Sequence, residues 1–314
     1  MTTIKQIGLD IEIIESTTQE LSILDELGTE YKQYSEMSEQ DRAFLTSLVL
    51  RKQPKKILEV GVSKGGASIV ILNAIKNIDG SHLYSLDYNT QCYVVPDKKT
   101  GFYVDNFPEL KNKWTLKTGG FSLNFLDEIG GDIDFCLIDT VHSNPGEILD
   151  FLMVLPYLKK GATVVFHDVN LHARIVKDDY VQYEYTNNLL MSAICGKKLL
   201  PSNNPYPSDI PFINIGAIET TEDTFNHIFE IFNLLTINWY YLPDKHDLEL
   251  FQNFIKRFYN EYYCEYFKQV WAYQNKIFLF VNARQKRKIS FLEQIFSVKN
   301  ETKHKVLRIL GIKF

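Results

Sequence analysis

The stretch Lys55–Ser68, KKILEVGVSKGGAS, decides the fold of this chain. Its apolar first half predicts a β-strand that ends on the acid Glu59, and its glycines predict a tight turn into a helix that begins at about Gly66. Glycine permits a sharp turn and a close approach of backbone to ligand, while the first amide groups of the helix point at whatever lies above the strand. The stretch therefore predicts a strand–turn–helix unit with a ligand-binding crevice at its carboxyl end.

Three further apolar stretches also close on acids. They are His82–Asp87, Asp132–Thr140 and Ala162–Asp168, and their acids are Asp87, Asp139 and Asp168. In an open parallel sheet the carboxyl ends of the strands share one edge, so these side chains and Glu59 are expected around one crevice. One acid at a strand end commonly serves the turn alone, whereas four in register favour a shared site. The predicted fold class is α/β, a Rossmann-like, doubly wound, mostly parallel sheet with a helical C-terminal extension.

The charge of the crevice distinguishes between nucleotide-derived cofactors. A dinucleotide carries a pyrophosphate, which Glu59 would repel, whereas S-adenosylmethionine (SAM) carries an ammonium and a sulfonium. Asp87 ends the next strand along the chain, where a carboxylate can accept hydrogen bonds from ribose hydroxyls. The G-x-G-x-x-G pattern of dinucleotide sites is not matched. SAM is therefore the predicted cofactor, and an NAD-linked sugar enzyme, which would bind nicotinamide, is disfavoured.

These residues resemble the class I SAM-dependent methyltransferases, and most closely the branch with macrocin-type and cephalosporin-biosynthesis O-methyltransferases, which is similar to methyltransferase family 24. The resemblance covers about residues 38–220. Beyond the glycine turn it includes I-D-x-x-H at Ile138–His142 and P-x-L-x-x-G-x-x-V-x-x-H-D at Pro156–Asp168. Many relatives have a second acid two residues after the first, where this chain has Val141. A general base at that position is therefore absent.

The resemblance also implies roles for residues of the crevice. The SAM-binding residues that it implies are Glu59, Gly61, Ser63, Gly65, Gly66, Ser68, Asp87, Gly120, Phe121 and Asp139. It further implies a divalent metal ion with Asp139 and Asp168 as ligands. Hard oxygen ligands of this kind suit Mg²⁺, and Asn170, two residues after Asp168, is the candidate for a third ligand. The alternative is that Asp139 and Asp168 only cap loops and hold the turn geometry.

Methyl transfer from a sulfonium requires that the acceptor be aligned with the methyl group and lose a proton. A divalent ion that lowers the pKa of the acceptor, or a histidine base, can assist the loss of the proton. His142 is the first candidate for the base and His167 the second, with Asp139 as a further catalytic residue. Otherwise, a histidine in such a loop is a solvated or capping residue.

Composition restricts the class of protein. With 314 residues, of which 45% are hydrophobic, the chain can bury one sizeable core and a helical annex. No run approaches the ~20 apolar residues that span a bilayer, and the first residues lack the features of a secretory signal. The four cysteines form no C-x-x-C pair, which disfavours a disulfide framework or a thiolate metal site. A cytoplasmic location is therefore expected.

The charge is distributed unevenly along the chain. Residues 284–314 contain nine Lys or Arg and two Glu, a net charge of +7, which leaves −12 on residues 1–283. The acidic body disfavours nucleic acid as a partner, because phosphate contacts dominate that affinity. The tail resembles C-terminal segments of bacterial lipopolysaccharide and capsule biosynthesis proteins, especially glycosyltransferases. It predicts either peripheral contact with the anionic inner membrane or packing on the acidic body.

Four segments are predicted. They are an N-terminal helical segment at 1–37, the methyltransferase domain at 38–220, an aromatic-rich helical extension at 221–283 and a basic amphipathic tail at 284–314. Aromatic residues at helical spacing in the extension predict core packing or the interface of a homo-oligomer. The proline-rich loop SNNPYPSDIP, residues 202–211, is the predicted wall of the acceptor site.

We expect a SAM-dependent O-methyltransferase that acts on a sugar hydroxyl in bacterial surface polysaccharide biosynthesis. The acceptor would be a small molecule or glycan, such as a sugar or nucleotide sugar. The alternative is a non-catalytic subunit of the same fold that anchors partners at the membrane surface, which Val141 keeps open. Turnover of SAM to S-adenosylhomocysteine would exclude this alternative.

Overall fold

An eight-stranded sheet with helices on both faces forms the body of the protein. The computed structural model describes residues 10–173, 185–202, 212–301, 304–309 and 312–313, and side chains up to residue 280. The strands of the sheet are β1 Ile11–Ile14, β2 Lys56–Val60, β3 His82–Asp87, β4 Trp114–Thr118, β5 Ile133–Ile138, β6 Leu158–His167, β7 Gly196–Pro201 and β8 Ile215–Thr220.

The helices lie between and after these strands. In chain order the α-helices are α1 Thr18–Asp25, α2 Glu39–Lys52, α3 Gly66–Ile75, α4 Leu126–Ile129, α5 Gly146–Val154, α6 Thr186–Ala193, α7 Glu222–Asn226, α8 Ile228–Leu234, α9 Lys245–Phe258 and α10 Glu261–Ile295.

The strand order places a ligand crevice in the middle of the sheet. The order is β1-β7-β8-β6-β5-β2-β3-β4, and only β8 runs antiparallel to its neighbours, β6 and β7. From β2 the chain moves outward to β3 and β4, then returns to β5 on the other side of β2. Open α/β sheets bind ligands at such a switch point, beyond the carboxyl ends of the strands. The predicted Rossmann-like, mostly parallel fold is confirmed.

Alternate residues of the central strands belong to two hydrophobic clusters. In β5, Cys136 and Ile138 belong to the first cluster, whereas Phe135 and Leu137 belong to the second. Because neighbouring residues of a strand point to opposite faces, the two clusters lie on opposite sides of the sheet. The first contains residues of α5, α9 and α10, and the second contains residues of α1, α2 and α3. Such two-sided burial explains the nearly continuous apolar runs of these strands.

The N-terminal segment differs from the predicted helix. Ile11–Ile14 forms the edge strand β1, which pairs in parallel with β7, and α1 follows it. The strand β7 itself, Gly196–Pro201, was not predicted. These are the two outermost strands on one side of the sheet, and in them isoleucines or leucines stand beside Glu or Lys, so their strand character depends on pairing partners that are distant in sequence.

A long helix and a small separate sheet form the C-terminal region. Helix α10 continues through the predicted boundary at residues 283 and 284, and the strands β9 Phe296–Glu301, β10 His304–Ile309 and β11 Ile312–Lys313 form a separate antiparallel sheet. None of the helices in the described ranges combines the length and apolarity needed to cross a bilayer. The division into four functional segments stays a prediction.

Candidate active site

A cavity of ≈ 740 Å³ opens at the carboxyl ends of β2, β3, β4 and β5. Its volume lies within the range of roughly 300–1,000 Å³ that small-molecule sites occupy. The turn after β2 lines it, together with the segment 34–37 before α2 and residues 241–243 before α9. The cavity therefore lies at the switch point of the sheet.

At the glycine turn after β2, the backbone lies in close contact with the backbone of other segments. A Cβ atom at Gly61 would lie 1.8 Å from the carbonyl oxygen of Asp139, and one at Gly66 would lie 2.3 Å from that of Tyr34. Gly61 and Gly65 also have φ values of 93° and 96°, which only glycine adopts readily. Ser63 lines the cavity between them, and α3 begins at Gly66. Free amide groups at the start of this helix therefore lie at the cavity wall.

Asp87 lines the cavity and holds the turn in place. Its Oδ2 atom accepts hydrogen bonds from the backbone amides of Val62 at 2.9 Å and Ser63 at 3.1 Å, and its Oδ1 atom accepts one from Asn89 at 2.8 Å. Each carboxylate oxygen can accept more than one hydrogen bond. Asp87 is thus a fixed acceptor that remains able to bind ligand hydroxyls.

Glu59 lies beneath the cavity. Its side chain is fully buried, and its Oε2 atom accepts hydrogen bonds from Ser68 Oγ at 2.7 Å and Ser85 Oγ at 2.5 Å. Burial raises the pKa of Glu59 to about 8, which the hydrogen bonds from Ser85 and Ser68 only partly offset. The structure places Glu59 and Ser68 under the turn and outside the cavity lining, so Glu59 does not present the predicted negative charge to a cofactor.

Asp139, His142 and Asp168 come together where β5 and β6 end. His142 Nε2 lies 3.1 Å from Asp168 Oδ2 and 3.8 Å from Asp139 Oδ1. One ligand atom from each residue lies within 4.8 Å of the others, so the three could hold a metal ion. The carboxylates suit Mg²⁺ or Mn²⁺, and the imidazole suits transition metals as well. This donor set fits a divalent cation.

His142 is surrounded by acids at the cavity rim. Burial alone would lower the pKa of its imidazole, but Glu147, Asp168 and Asp139 outweigh this and raise the pKa to about 10. The nearest contact of the other ring nitrogen, Nδ1, is Glu147 Oε1 at 3.1 Å. His142 is therefore protonated at neutral pH in this arrangement, and it can act as a base only after its electrostatic surroundings change.

His167 is enclosed rather than at the cavity. Its side chain is 3% exposed, and its Nδ1 atom lies 3.3 Å from Asp139 Oδ1 and 3.4 Å from Asp168 Oδ2. On the other side, Nε2 lies 3.5 Å from Oδ2 of Asp41, which belongs to the capping box that starts α2 at Ser38. His167 thus connects α2 to the pair of acids, and the structure does not bring it to the cavity wall.

Asn170 is occupied by contacts within the protein. Its amide nitrogen donates to the carbonyl of Ile213 at 2.6 Å, and its amide oxygen accepts from Asn188 at 3.1 Å. Asn214 donates to Asp168 Oδ1 at 2.5 Å. The predicted role of Asn170 as a metal ligand would require its oxygen to leave Asn188, whereas His142 already lies beside the two acids.

Helix α5 and the C-terminal extension supply cavity residues that the sequence analysis missed. Asp150 of α5 accepts hydrogen bonds from Ser122 Oγ at 3.0 Å and Thr140 Oγ1 at 3.1 Å. Burial raises the pKa of Asp150 to about 6. Tyr241 and Phe251 of the extension line the same part of the cavity. An acid within the apolar helix α5 was a signal for Asp150, but nothing in the sequence distinguished these aromatic residues from the others.

Gly120 and Phe121, two of the predicted SAM-binding residues, line this part of the cavity as well. The ring of Phe121 lies 5.0 Å from that of Tyr88 and 5.0 Å from that of Phe251. The predicted acceptor wall falls almost wholly on residues 203–211, which lie outside the described residues.

The cavity is acidic. Its described lining contains no lysine or arginine, whereas its carboxylic acids are Glu36, Asp87, Asp139, Asp150 and Asp247. Such a concentration of one sign of charge in a cleft attracts ligands of the opposite sign. The cavity therefore favours a cationic ligand over one that carries a pyrophosphate.

Residues 58–169 match the family model described as a methyltransferase domain. The matched residues contain the glycine turn, Asp87, the Asp139–Asp168 pair and α5. They make up about a third of the chain. The match lies within residues 38–220, and it supports the predicted methyltransferase activity, whereas the bounds of the predicted domain stay a prediction.

Several solved methyltransferase structures are similar to the chain. An O-methyltransferase from Bacillus cereus in complex with S-adenosylhomocysteine has a TM-score of 0.44 and 18% identity, over 65% of this chain and 91% of that chain. The O-methyltransferase TomG of Streptomyces achromogenes, in complex with SAM, has a TM-score of 0.44 and 15% identity, over 68% and 92%. PaMTH1 of Podospora anserina, bound to S-adenosylhomocysteine, has a TM-score of 0.45 and 13% identity, over 66% and 89%. No curated protein sequence matches the chain significantly.

Proposed function

We propose that the protein is a SAM-dependent O-methyltransferase. The observation that carries the proposal is the acidic cavity at the switch point of a methyltransferase-type sheet. The amides at the start of α3 would bind the methionyl carboxylate, and Asp87 would bind the ribose hydroxyls. The acids of the lining favour the cationic sulfonium. The matched methyltransferase domain supports the same conclusion.

Asp139, His142 and Asp168 would hold a divalent cation. Such an ion acts as a Lewis acid that lowers the pKa of a bound hydroxyl. Asp139 and His142 both line the cavity, so they can orient an acceptor against the methyl donor. Nε2 is the ring nitrogen of His142 that faces Asp168 and Asp139, so in this arrangement it would be the metal ligand. Without an ion, neutral His142 would instead serve as the base and accept the acceptor proton at Nε2.

The proposed acceptor is a sugar hydroxyl of a bacterial surface polysaccharide or its precursor. The tail resembles segments of lipopolysaccharide and capsule biosynthesis proteins, which supports a role in that pathway. The exposed rings of Tyr88 and Tyr93 at the cavity offer flat surfaces for a sugar. A cytoplasmic location, contact of the tail with the inner membrane and homo-oligomerisation belong to the same proposal. A large acidic cavity with an acid cluster at its rim disfavours the non-catalytic alternative.

Calorimetric titration tests the cofactor. We expect SAM and S-adenosylhomocysteine to bind, and Asp87→Asn to weaken both by about tenfold or more, because the loss of one charged hydrogen-bond partner has an effect of this size. The exposed Asp105 lies outside the cavity lining, so Asp105→Asn is the control. Binding of NAD in place of SAM would overturn the proposal.

Methyl transfer to a panel of nucleotide sugars, cell-envelope glycans and small hydroxyl compounds without a sugar tests the acceptor. We expect uptake of labelled methyl by at least one sugar, and its loss in Asp168→Ala. Full activity in excess chelator would exclude the metal ion. Methylation of a panel member without a sugar, and of none with one, would overturn the acceptor class but not the enzyme class.

A further inference from the structure

The cavity crosses the rim of the sheet from one face to the other. Its first half is formed by Tyr34 and by Gly66 at the start of α3, on the face of α2 and α3. Its second half is formed by Asp150 of α5 and Phe251 of α9, on the opposite face. Asp87, at the end of β3, lies at the rim between the two faces.

This arrangement assigns an orientation to the cofactor of the proposed function, on which the inference rests. The methionyl carboxylate needs the free amides of the first half, at Gly66, and the ribose needs Asp87. The base is attached to the ribose on the side away from the methionyl group. It must therefore occupy the second half of the cavity.

The second half has the chemistry of a purine site. Phe121 and Phe251, with ring centroids 5.0 Å apart, and Tyr241 provide aromatic surface. Asp150 provides a carboxylate that is partly exposed and lines the cavity. Aromatic walls with a few placed polar groups are typical of sites for flat ligands, in which the polar groups fix the orientation.

The carboxylate of Asp150 is held ready to accept a further hydrogen bond. Ser122 Oγ donates to Oδ1 and Thr140 Oγ1 donates to Oδ2, so each oxygen has one fixed donor. A carboxylate has about four acceptor positions, of which these hydroxyls use two. An ionised carboxylate cannot donate, so its complement on the base is an N–H group.

We propose that Asp150 recognises adenine by accepting a hydrogen bond from its 6-amino group, while Phe121, Tyr241 and Phe251 pack against the ring. Two of these aromatic residues come from the chain after residue 220. The C-terminal helical extension would therefore be part of the cofactor site and not only a packing element.

A thermodynamic cycle tests this proposal, in which the 6-amino group of the ligand and the side chain of residue 150 are removed singly and together. S-Adenosylhomocysteine and its analogue with an unsubstituted purine, which lacks the 6-amino group, are titrated into the full-length wild type and into Asp150→Ala. We expect the wild type to prefer the amino compound by about 30-fold, and Asp150→Ala to reduce the preference to about threefold, because a charge-assisted hydrogen bond is lost. Asp105→Ala, which changes an exposed acid outside the cavity lining, should retain the wild-type preference.

The same preference in wild type and folded Asp150→Ala would overturn the role of Asp150. If Asp150→Ala does not fold, Asp150→Leu, which has a similar size and no acceptor, is used in the same cycle, and an unchanged preference in this variant is the overturning result. Failure of the wild type to bind S-adenosylhomocysteine would instead overturn the proposed function itself. The two failures are therefore distinguishable in one set of titrations.

Discussion

Glu59 illustrates how the surroundings of a residue determine its charge. The sequence places an acid at a strand end, where a negative charge was expected to attract SAM. In the structure two serine hydroxyls hold one of its oxygens, and burial raises its pKa to about 8. The acidic character of the cavity comes from other residues, among them Asp87 and Asp139. The cavity still favours a cationic ligand, as predicted, but side chains other than Glu59 are responsible.

Glu59→Gln should remove a pH dependence of stability. Between pH 4.5 and about 8 native Glu59 holds a proton that the unfolded chain has released, so its contribution is complete below pH 4.5 and is lost as the pH rises through 8. The free energy of unfolding of the wild type should therefore fall relative to Glu59→Gln by about 1.4 kcal/mol per pH unit in this window. Urea unfolding at pH 5, 6, 7 and 8 measures the difference.

Glu249→Gln serves as the control for this series, because Glu249 is exposed on α9. It should follow the wild type at every pH. A constant difference between wild type and Glu59→Gln from pH 5 to 8 would contradict the assignment of a neutral, buried Glu59.

Gly61→Ala should destabilise the protein by about 3 kcal/mol or more. The new Cβ atom would meet the carbonyl oxygen of Asp139 at 1.8 Å, and φ at this position is 93°. Gly80 has a φ of 72° but nothing within 4 Å of a built Cβ, so Gly80→Ala isolates the conformational cost, about 1–2 kcal/mol. Denaturant unfolding compares the two. Equal losses would show that the close approach of β2 and β5 has no energetic effect.

At the scale of elements, the sequence predicted those strands whose own residues carry a clear pattern. Strands β2, β3, β5 and β6 were predictable because they are apolar on both sides and closed by acids. The edge strand β1 and its neighbour β7 were not, because their stability comes from pairing with distant segments. The strand pattern likewise predicted that Asp139 and Asp168 lie at one rim of the sheet. It did not predict the positions of Tyr241, Phe251 and Asp150 at the other end of the cavity, because tertiary packing determines them.

Gln274 of α10 fixes the segment that leads to this end of the cavity. It is fully buried, and its Nε2 atom lies 3.0–3.2 Å from the carbonyl oxygens of Leu235, Thr236 and Ile237. Its Oε1 atom accepts from the amide of Trp239 at 3.2 Å. The two N–H groups and the oxygen of this side chain thus serve several backbone groups just before Tyr241.

Gln274→Ala should destabilise the protein by about 3 kcal/mol, because it leaves several buried backbone groups without partners. Gln269, exposed on the same helix, provides the matched control, and Gln269→Ala should change stability by at most about 0.5 kcal/mol. Thermal or urea unfolding gives both values. A loss in Gln274→Ala no larger than in the control would show that water replaces these hydrogen bonds.

At the scale of the whole molecule, charge divides the chain. The first 283 residues carry −12 and the last 31 carry +7. The basic residues begin at 284–288, RQKRK, within the last part of α10. The earlier part of this helix packs against the body. The start of the basic tail is therefore held at a fixed position on the protein.

Replacement of Arg284, Lys286, Arg287 and Lys288 by Gln should reduce binding to vesicles of anionic phospholipid by about 100-fold or more. Each basic residue near such a surface contributes about 1 kcal/mol. Co-sedimentation at low salt measures the effect, with vesicles of neutral lipid as the control. Equal binding of wild type and variant would favour packing of the tail on the acidic body.

The position of the cavity between the two hydrophobic clusters also has a thermodynamic consequence. A molecule that lies across the rim touches side chains anchored in both clusters, so only the intact fold offers it a complete set of contacts. Saturation at 100 times the dissociation constant should then add about 2.7 kcal/mol to the free energy of unfolding. Bound cofactor would link the two sides of the protein. The temperature of unfolding would therefore rise with the concentration of the methyl donor.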